Sequence, residues 1–258
     1  MNDDQLSLTK KKFPILFSFS QDYTGSDYND IRQLFRDKPV LIFGEDYWSK
    51  YEQSLQSLTE KDKQYLFGKL KTLTKRIDEK AGWPHFEERL NEALAYRYLQ
   101  KNGYKKIRFI DENTKNGRKP DLEILNANDS LNGLVEVKTI RFSLDEYAAV
   151  KKELETGKGR FLPMQVNKNL YKKITDDLDK AVKQLTYQGS ASISLRRIYL
   201  FLNLDAGVLM DLIFTPDSDL QNFICQTKKT LDKNNHIDLK TYLLGGIPGE
   251  PKELKCKG

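Results

Sequence analysis

Histidine and cysteine are scarce in this 258-residue chain, which has two of each. Cys225 and Cys256 are far apart and form no CxxC motif, so neither a disulfide scaffold nor a thiolate zinc site is indicated, and we expect both to be bystanders. His85 and His236 each lack a second histidine within helical reach, which argues against HExxH sites and nucleases built on paired histidines. Any metal is therefore expected to be a hard cation bound by carboxylate oxygens.

Long apolar runs are also missing. No run approaches the roughly 18 residues that a membrane-spanning helix needs, and the first residues lack the charged-then-apolar order of a signal peptide. We expect a cytoplasmic protein with no membrane partner. With 15 glycines and 8 prolines, the chain is neither low-complexity nor collagenous.

Positive charge is unevenly distributed along the chain. The formal net charge is +6, but residues 101–120 and residues 151–173 each carry +5, so the remainder is slightly acidic. Two basic segments on an acidic body favour a surface that binds a polyanion such as nucleic acid.

Apolar periodicity predicts two regions, a mainly helical N-terminal extension over residues 1–82 and a second domain over residues 83–258. The break between them is the AGWP segment at 81–84. The second domain is predicted to be α/β, in the order helix, three strands, helix, strand. The predicted segments are a helix at 86–103 closed by Gly103, strands at 104–110, 119–125 and 133–140, a helix at 168–186, strands at 198–204 and 208–214, and a helix at 219–234.

The third predicted strand carries charged residues in an apolar setting. Because side chains alternate between the faces of a strand, Glu136 and Lys138 share one face with apolar neighbours. Burying such groups is costly unless they are paired or bind an ion. In the second strand Asp121 and Glu123 share a face, and Pro120 lacks an N–H, so the sheet can open there.

Carboxylates from two neighbouring strands can converge on one Mg²⁺, with Mn²⁺ as a substitute, which assigns Asp121 and Glu136 as metal ligands. The backbone carbonyl of Val137 could add a further ligand. Lys138 could hold the attacking water or stabilise charge on the phosphate. These residues provide the parts for metal-assisted phosphodiester hydrolysis without histidine.

The pattern Pro120-Asp121, 14 intervening residues, then Glu136-Val137-Lys138 resembles the PD-(D/E)xK signature of the restriction-endonuclease-like nuclease superfamily. The resemblance extends over residues 86–204. It implies a restriction-endonuclease-like core, with a central mixed sheet flanked by helices. It also implies a Mg²⁺-dependent nuclease, and we favour a DNA endonuclease of the restriction, defence or repair type.

Further site residues follow from the same resemblance. Many members add an acid from the preceding helix, here Glu92 or, less favoured, Glu88; the alternative is a solvated helix face paired with Arg89 or Lys101. Some relatives place polar helix residues near the scissile phosphate. Lys180 and Gln184, spaced i to i+4, are therefore candidate nucleic-acid-binding residues. Arg118 and Lys119, from the basic segment at 101–120, are further candidates.

Two other functions stay open at this point. The first is an RNA-cleaving member of the same fold, because no residue in the sequence distinguishes the 2′-hydroxyl. The second is a catalytically inactive module that binds nucleic acid. Cleavage of both strands would suit a homodimer, which supplies two sites.

Overall fold

In the computed structural model, the described residues are 10–21, 40–74, 82–111, 119–141, 166, 168–187, 193–204, 218–244 and 250–256. The chain divides into two compact units. Unit 1 comprises residues 1–113, 121–131 and 248–250, and unit 2 comprises residues 114–120, 132–247 and 251–258. The described elements have an α/β architecture. None of their helices is long and apolar enough to cross a membrane.

Unit 1 combines four helices with an antiparallel pair of strands. The helices are α1 (Pro14–Gln21), α2 (Val40–Gln56), α3 (Glu60–Thr74) and α4 (Gly82–Lys101), and the strands are β1 (Lys106–Phe109) and β2 (Leu122–Leu125). In the strand register Ile107 lies opposite Ile124, and both are buried. Helix α4 packs against α2 and α3, and it contributes Leu90, Leu94 and Leu99 to a core from which water is fully excluded.

Polar side chains hold the elements of unit 1 together at buried positions. The Glu52 carboxylate accepts hydrogen bonds of 3.0 Å from the amides of Ile15 and Leu16, and so satisfies two donors of the first turn of α1. Asp62 accepts from the Phe109 amide at 3.2 Å and from the Tyr96 hydroxyl at 3.0 Å. Burial, followed by the Asp62 charge, raises the pKa of Tyr96, which keeps its hydroxyl a donor.

Gly103 ends helix α4 as the sequence predicts. Its φ of +88° lies in the left-handed region that glycine tolerates best. The Gly103 amide donates to the Gln100 carbonyl at 2.9 Å, and the Tyr104 amide donates to the Leu99 carbonyl at 3.2 Å. The chain thereby leaves the helix and enters β1 after a short turn.

Unit 2 is a mixed sheet with helices between its parallel strands. In chain order it contains β3 (Leu131–Arg141, from residue 132), α5 (Lys168–Tyr187), β4 (Leu195–Asn203), α6 (Asp219–Asn235), β5 (Ile237–Leu244) and β6 (Lys252–Glu253). β3, β4 and β5 are parallel neighbours, and β6 runs antiparallel to β5. Because parallel crossovers are right-handed, α5 and α6 lie on the same face of this sheet. Their Tyr171 and Phe223 rings meet edge to face at 5.0 Å between centroids.

The expectation of two bystander cysteines is wrong. Cys225 on α6 and Cys256 after β6 form a disulfide, with their Cα atoms 5.5 Å apart. The Leu254 amide donates to the Thr241 carbonyl at 2.8 Å, and the Gln221 side-chain amide donates to the Lys255 carbonyl at 3.3 Å. The C-terminal segment is thus fixed to both α6 and β5 within unit 2.

The α/β class is confirmed, and most predicted elements are found within a few residues of their expected bounds. Strand β3 begins two residues earlier than predicted, and β4 begins three residues earlier. The sequence-based reading missed β5 and β6. The predicted strand at 208–214 lies outside the described residues. The division into residues 1–82 and 83–258 stays a prediction.

Candidate functional site

Strand β3 carries the two charged residues of the motif in unit 2. Glu136 lies opposite Ile198 and Lys138 lies opposite Leu200 on β4, and both β4 residues are fully buried. The Glu136 side chain is 1% exposed, whereas that of Lys138 is 20% exposed. The carboxylate is therefore embedded in an apolar sheet face, and the longer lysine extends from that face toward water.

Lys138 joins Glu136 to helix α5. Its amine donates a hydrogen bond to Oε1 of Glu136, with which it forms an ion pair, and another, of 3.1 Å, to Oε1 of Gln184. The side-chain amide of Gln184 donates at 2.9 Å to the backbone carbonyl of Lys119. Gln184 is itself buried. A continuous chain of hydrogen bonds therefore runs from Glu136 through Lys138 and Gln184 to the backbone at Lys119.

This ion pair is expensive to build. Removing a carboxylate and an ammonium group from water costs several kcal/mol per ion, and their mutual attraction is of similar size. Proteins in which such a pair is replaced by well-packed apolar side chains are therefore often as stable or more stable. Removing only one partner of a buried pair usually costs about 3–5 kcal/mol. A contribution to stability is therefore a weak reason for the Glu136–Lys138 pair to be present. Loss of either charge would nevertheless destabilise the structure around the other.

The remaining strand ligand of the motif belongs to unit 1. Asp121 is half-buried immediately before β2, and its backbone carbonyl accepts from the Ile110 amide at 3.0 Å, which extends the β1–β2 ladder. Glu123 lies on the β2 face predicted for it and forms an ion pair with Arg108 on β1. The backbone of Asp121 is thus fixed by strand pairing.

The acids of helix α4 also belong to unit 1. Glu92 is buried, and it forms an ion pair of 2.7 Å with Arg89, the partner that the alternative interpretation names. Glu88 lies 2.8 Å from Nδ1 of His85, and both side chains are more than one third exposed. Of the two, Glu92 has the environment in which a carboxylate is more strongly desolvated.

The candidate nucleic-acid-binding residues differ in how accessible they are. Lys180 has an exposed side chain that pairs with Asp177 at 2.8 Å. Lys119 is half-buried and accepts through its backbone carbonyl, whereas Arg118 lies outside the described residues. In contrast to Lys180, Gln184 uses both of its polar atoms in hydrogen bonds within unit 2.

The donor chemistry fits Mg²⁺ in kind. Glu136 and Asp121 each offer hard carboxylate oxygens. The motif adds the backbone carbonyl of Val137, a buried residue of β3, as a further oxygen ligand. Among the residues that the structure describes, no three His, Cys, Asp or Glu side chains group closely enough to hold a metal. Because Mg²⁺ usually uses one or two carboxylates and fills its remaining positions with water and substrate oxygens, such a site does not require three acids.

Two features of the structure could not be read from the sequence. The Cys225–Cys256 bond joins residues 31 positions apart that belong to no motif. The contact of Gln184 with Lys138 depends on the rotation and height of α5 over the sheet. The i to i+4 spacing of Lys180 and Gln184 placed both on one helix side, but it did not distinguish the buried residue from the exposed one.

Comparison with known proteins gave no significant match to a family model, to a curated protein or to a solved structure.

Proposed function

We propose that this protein is a Mg²⁺-dependent nuclease that hydrolyses phosphodiester bonds, with DNA as the favoured substrate. The observation that carries the proposal is the Glu136–Lys138 pair on β3, a buried carboxylate with an adjacent amine that extends toward water. The spacing of this pair from Pro120-Asp121 in the sequence supports the restriction-endonuclease-like interpretation.

By the sequence motif, Glu136 and Asp121 would hold the metal, and the Val137 carbonyl and Glu92 would support it. When bound, Mg²⁺ supplies a Lewis acid for the phosphoryl oxygens and lowers the pKa of a coordinated water. Donor chemistry supports this role for Glu136, because a carboxylate that is 1% exposed is already desolvated and costs less to transfer to an ion than one in bulk water.

In this proposal Lys138 stabilises negative charge that develops during the reaction. Its ammonium group can donate three hydrogen bonds, of which one goes to Glu136 and one to Gln184. In the proposed reaction this group would donate to the attacking water or to a phosphoryl oxygen. A cation held in a partly desolvated position stabilises charge that develops during the reaction without having to reorganise.

The experiment is a substrate panel of supercoiled, linear and branched DNA and of RNA, each with Mg²⁺, Mn²⁺ or EDTA. We expect metal-dependent DNA cleavage that falls at least about a hundredfold in Lys138→Met and in Asp121→Asn. Lys229→Met is the matched control, because Lys229 is an exposed lysine of α6. Circular dichroism of each variant verifies that the fold is retained.

Each result of the panel leads to a different conclusion. Cleavage that persists in EDTA, or that Lys138→Met leaves unchanged, contradicts the proposed site. Cleavage restricted to RNA identifies an RNA-cleaving enzyme. Tight metal-independent binding with no turnover on any substrate identifies a binding module.

A further inference from the structure

We infer that Gln184 is a positioning residue, which holds the Lys138 amine in place and fastens it to the backbone at Lys119, rather than a residue that contacts phosphate. This inference deepens the proposed function and rests on it for its catalytic consequence. Its structural part stands on the hydrogen bonds of unit 2 alone.

Both ends of the side-chain amide of Gln184 are hydrogen-bonded. Oε1 accepts from Lys138 at 3.1 Å, and Nε2 donates to the Lys119 carbonyl at 2.9 Å. Both distances lie within the range of ordinary protein hydrogen bonds. A glutamine amide has one accepting and one donating end, so the donor Lys138 and the carbonyl acceptor together fix its orientation.

Burial makes this arrangement costly to break. Gln184 is 9% exposed, so an amide end released from its partner would find little water to replace it. An unsatisfied buried polar group bears the full desolvation penalty of that group, which favours the hydrogen-bonded position of the amide. The second N–H of Gln184 belongs to the same buried side chain, so little of the amide is accessible to a phosphate.

The partners of Gln184 explain why positioning matters. A free lysine side chain has four rotatable bonds and loses conformational entropy when it is fixed. Two acceptors, one on β3 itself and one on α5, define the position of the Lys138 amine more narrowly than Glu136 alone. Lys119 immediately precedes Pro120-Asp121 in the sequence, so the second bond of Gln184 reaches the backbone at the start of the motif.

The test uses two substitutions and a matched control. Gln184→Met keeps the side-chain length and removes both hydrogen bonds. Gln184→Glu keeps an acceptor for Lys138 but, when ionised, loses the donor to Lys119. Gln226→Met is the control, because Gln226 is an exposed glutamine of α6.

The first readout does not depend on nuclease activity. The rate at which an acylating reagent modifies Lys138, measured by mass spectrometry relative to exposed Lys229, should rise severalfold in Gln184→Met and stay near the wild-type value in Gln184→Glu. In wild-type protein the side-chain amide protons of Gln184 should exchange with solvent at least about tenfold more slowly than those of Gln226. Unchanged acylation, or equally fast exchange, overturns the inference.

The second readout separates positioning from phosphate contact. If Gln184 positions Lys138, Gln184→Met should lower kcat about tenfold or more with little change in KM, and Gln184→Glu should lose less. A rise in KM at unchanged kcat would assign Gln184 to substrate binding and overturn the inference. If wild-type protein cleaves no substrate, the proposed function fails, while acylation and exchange still decide the positioning of Lys138.

Discussion

The Cys225–Cys256 disulfide is expected to supply much of the stability of unit 2. It joins residues 31 positions apart, and closing a loop of that size lowers the entropy of the unfolded chain. In the chain-entropy treatment of cross-links this amounts to about 3.7 kcal/mol at 25 °C, within the typical range of about 2–4 kcal/mol. Domains usually have net stabilities of about 5–15 kcal/mol, so the expected loss on reduction is a large fraction of the total.

The perturbation is the double substitution of Cys225 and Cys256 by serine, compared with oxidised and reduced wild-type protein. Hydrogen exchange of β5 (Ile237–Leu244) and of the Leu254 amide reports unit 2, because that amide donates to the Thr241 carbonyl. We expect the opening free energy at these positions to fall by about 3–4 kcal/mol in the double variant and in reduced wild type. A reductant should change nothing in the double variant.

Two results would refute this reasoning. Two reactive thiols in unfolded protein that has never been reduced would show that the cysteines are not paired. A loss below about 1 kcal/mol in the double variant would show that loop closure is not what the bond contributes. Since disulfides persist mainly in oxidising compartments, the result also decides how stable unit 2 is in a reducing environment.

Two further predictions concern unit 1. Burial raises the pKa of Glu52 above its ordinary value of 4.5. The stability that this group contributes to unit 1 should therefore be fully present below pH 4.5 and should be lost as the pH rises through the higher pKa of the folded state. The urea midpoint of unfolding, followed by the fluorescence of buried Trp48, should change less with pH in Glu52→Gln than in the wild type. An equal pH dependence in the two proteins would contradict this assignment. Gly103→Ala should lower the free energy of unfolding by about 1–2 kcal/mol, because φ at this position is +88°. Gly68 lies within α3 and has similar open space around it, so Gly68→Ala should raise the free energy of unfolding by about 0.5–1 kcal/mol. Equal effects of the two substitutions in thermal unfolding would refute the argument from backbone strain.

The sequence predicted the elements whose patterns are local. Helix α4 was expected over 86–103 and extends from Gly82 to Lys101, because its apolar spacing and terminal glycine act within a few turns. The alternation of β3 placed Glu136 and Lys138 on one face, and their hydrogen bond agrees with that placement. Local physical rules were sufficient for these features.

Features that depend on tertiary pairing were not predicted. Strand β6 has two residues, Lys252 and Glu253, whose intrinsic strand propensity is low, and it forms because β5 offers an edge. The disulfide that secures the same segment requires α6 to lie beside it, which no sequence spacing encodes. The amide bridge of Gln184 likewise requires the register between α5 and β3.

The hydrogen bonds around Lys138 give a physical reason to treat the motif as more than a chance match of residues. Apolar side chains at positions 136 and 138 could stabilise strand β3 without an ion pair or a buried amide as a hydrogen-bond partner. Unit 2 instead buries Glu136, supports Lys138 from two sides and uses both ends of Gln184 to do so. This arrangement contributes little net stability, since well-packed apolar side chains at the same positions are often as stable or more stable. A function that needs a carboxylate and an ammonium group at fixed positions would account for burying these groups, and the proposed phosphodiester hydrolysis is a function of that kind.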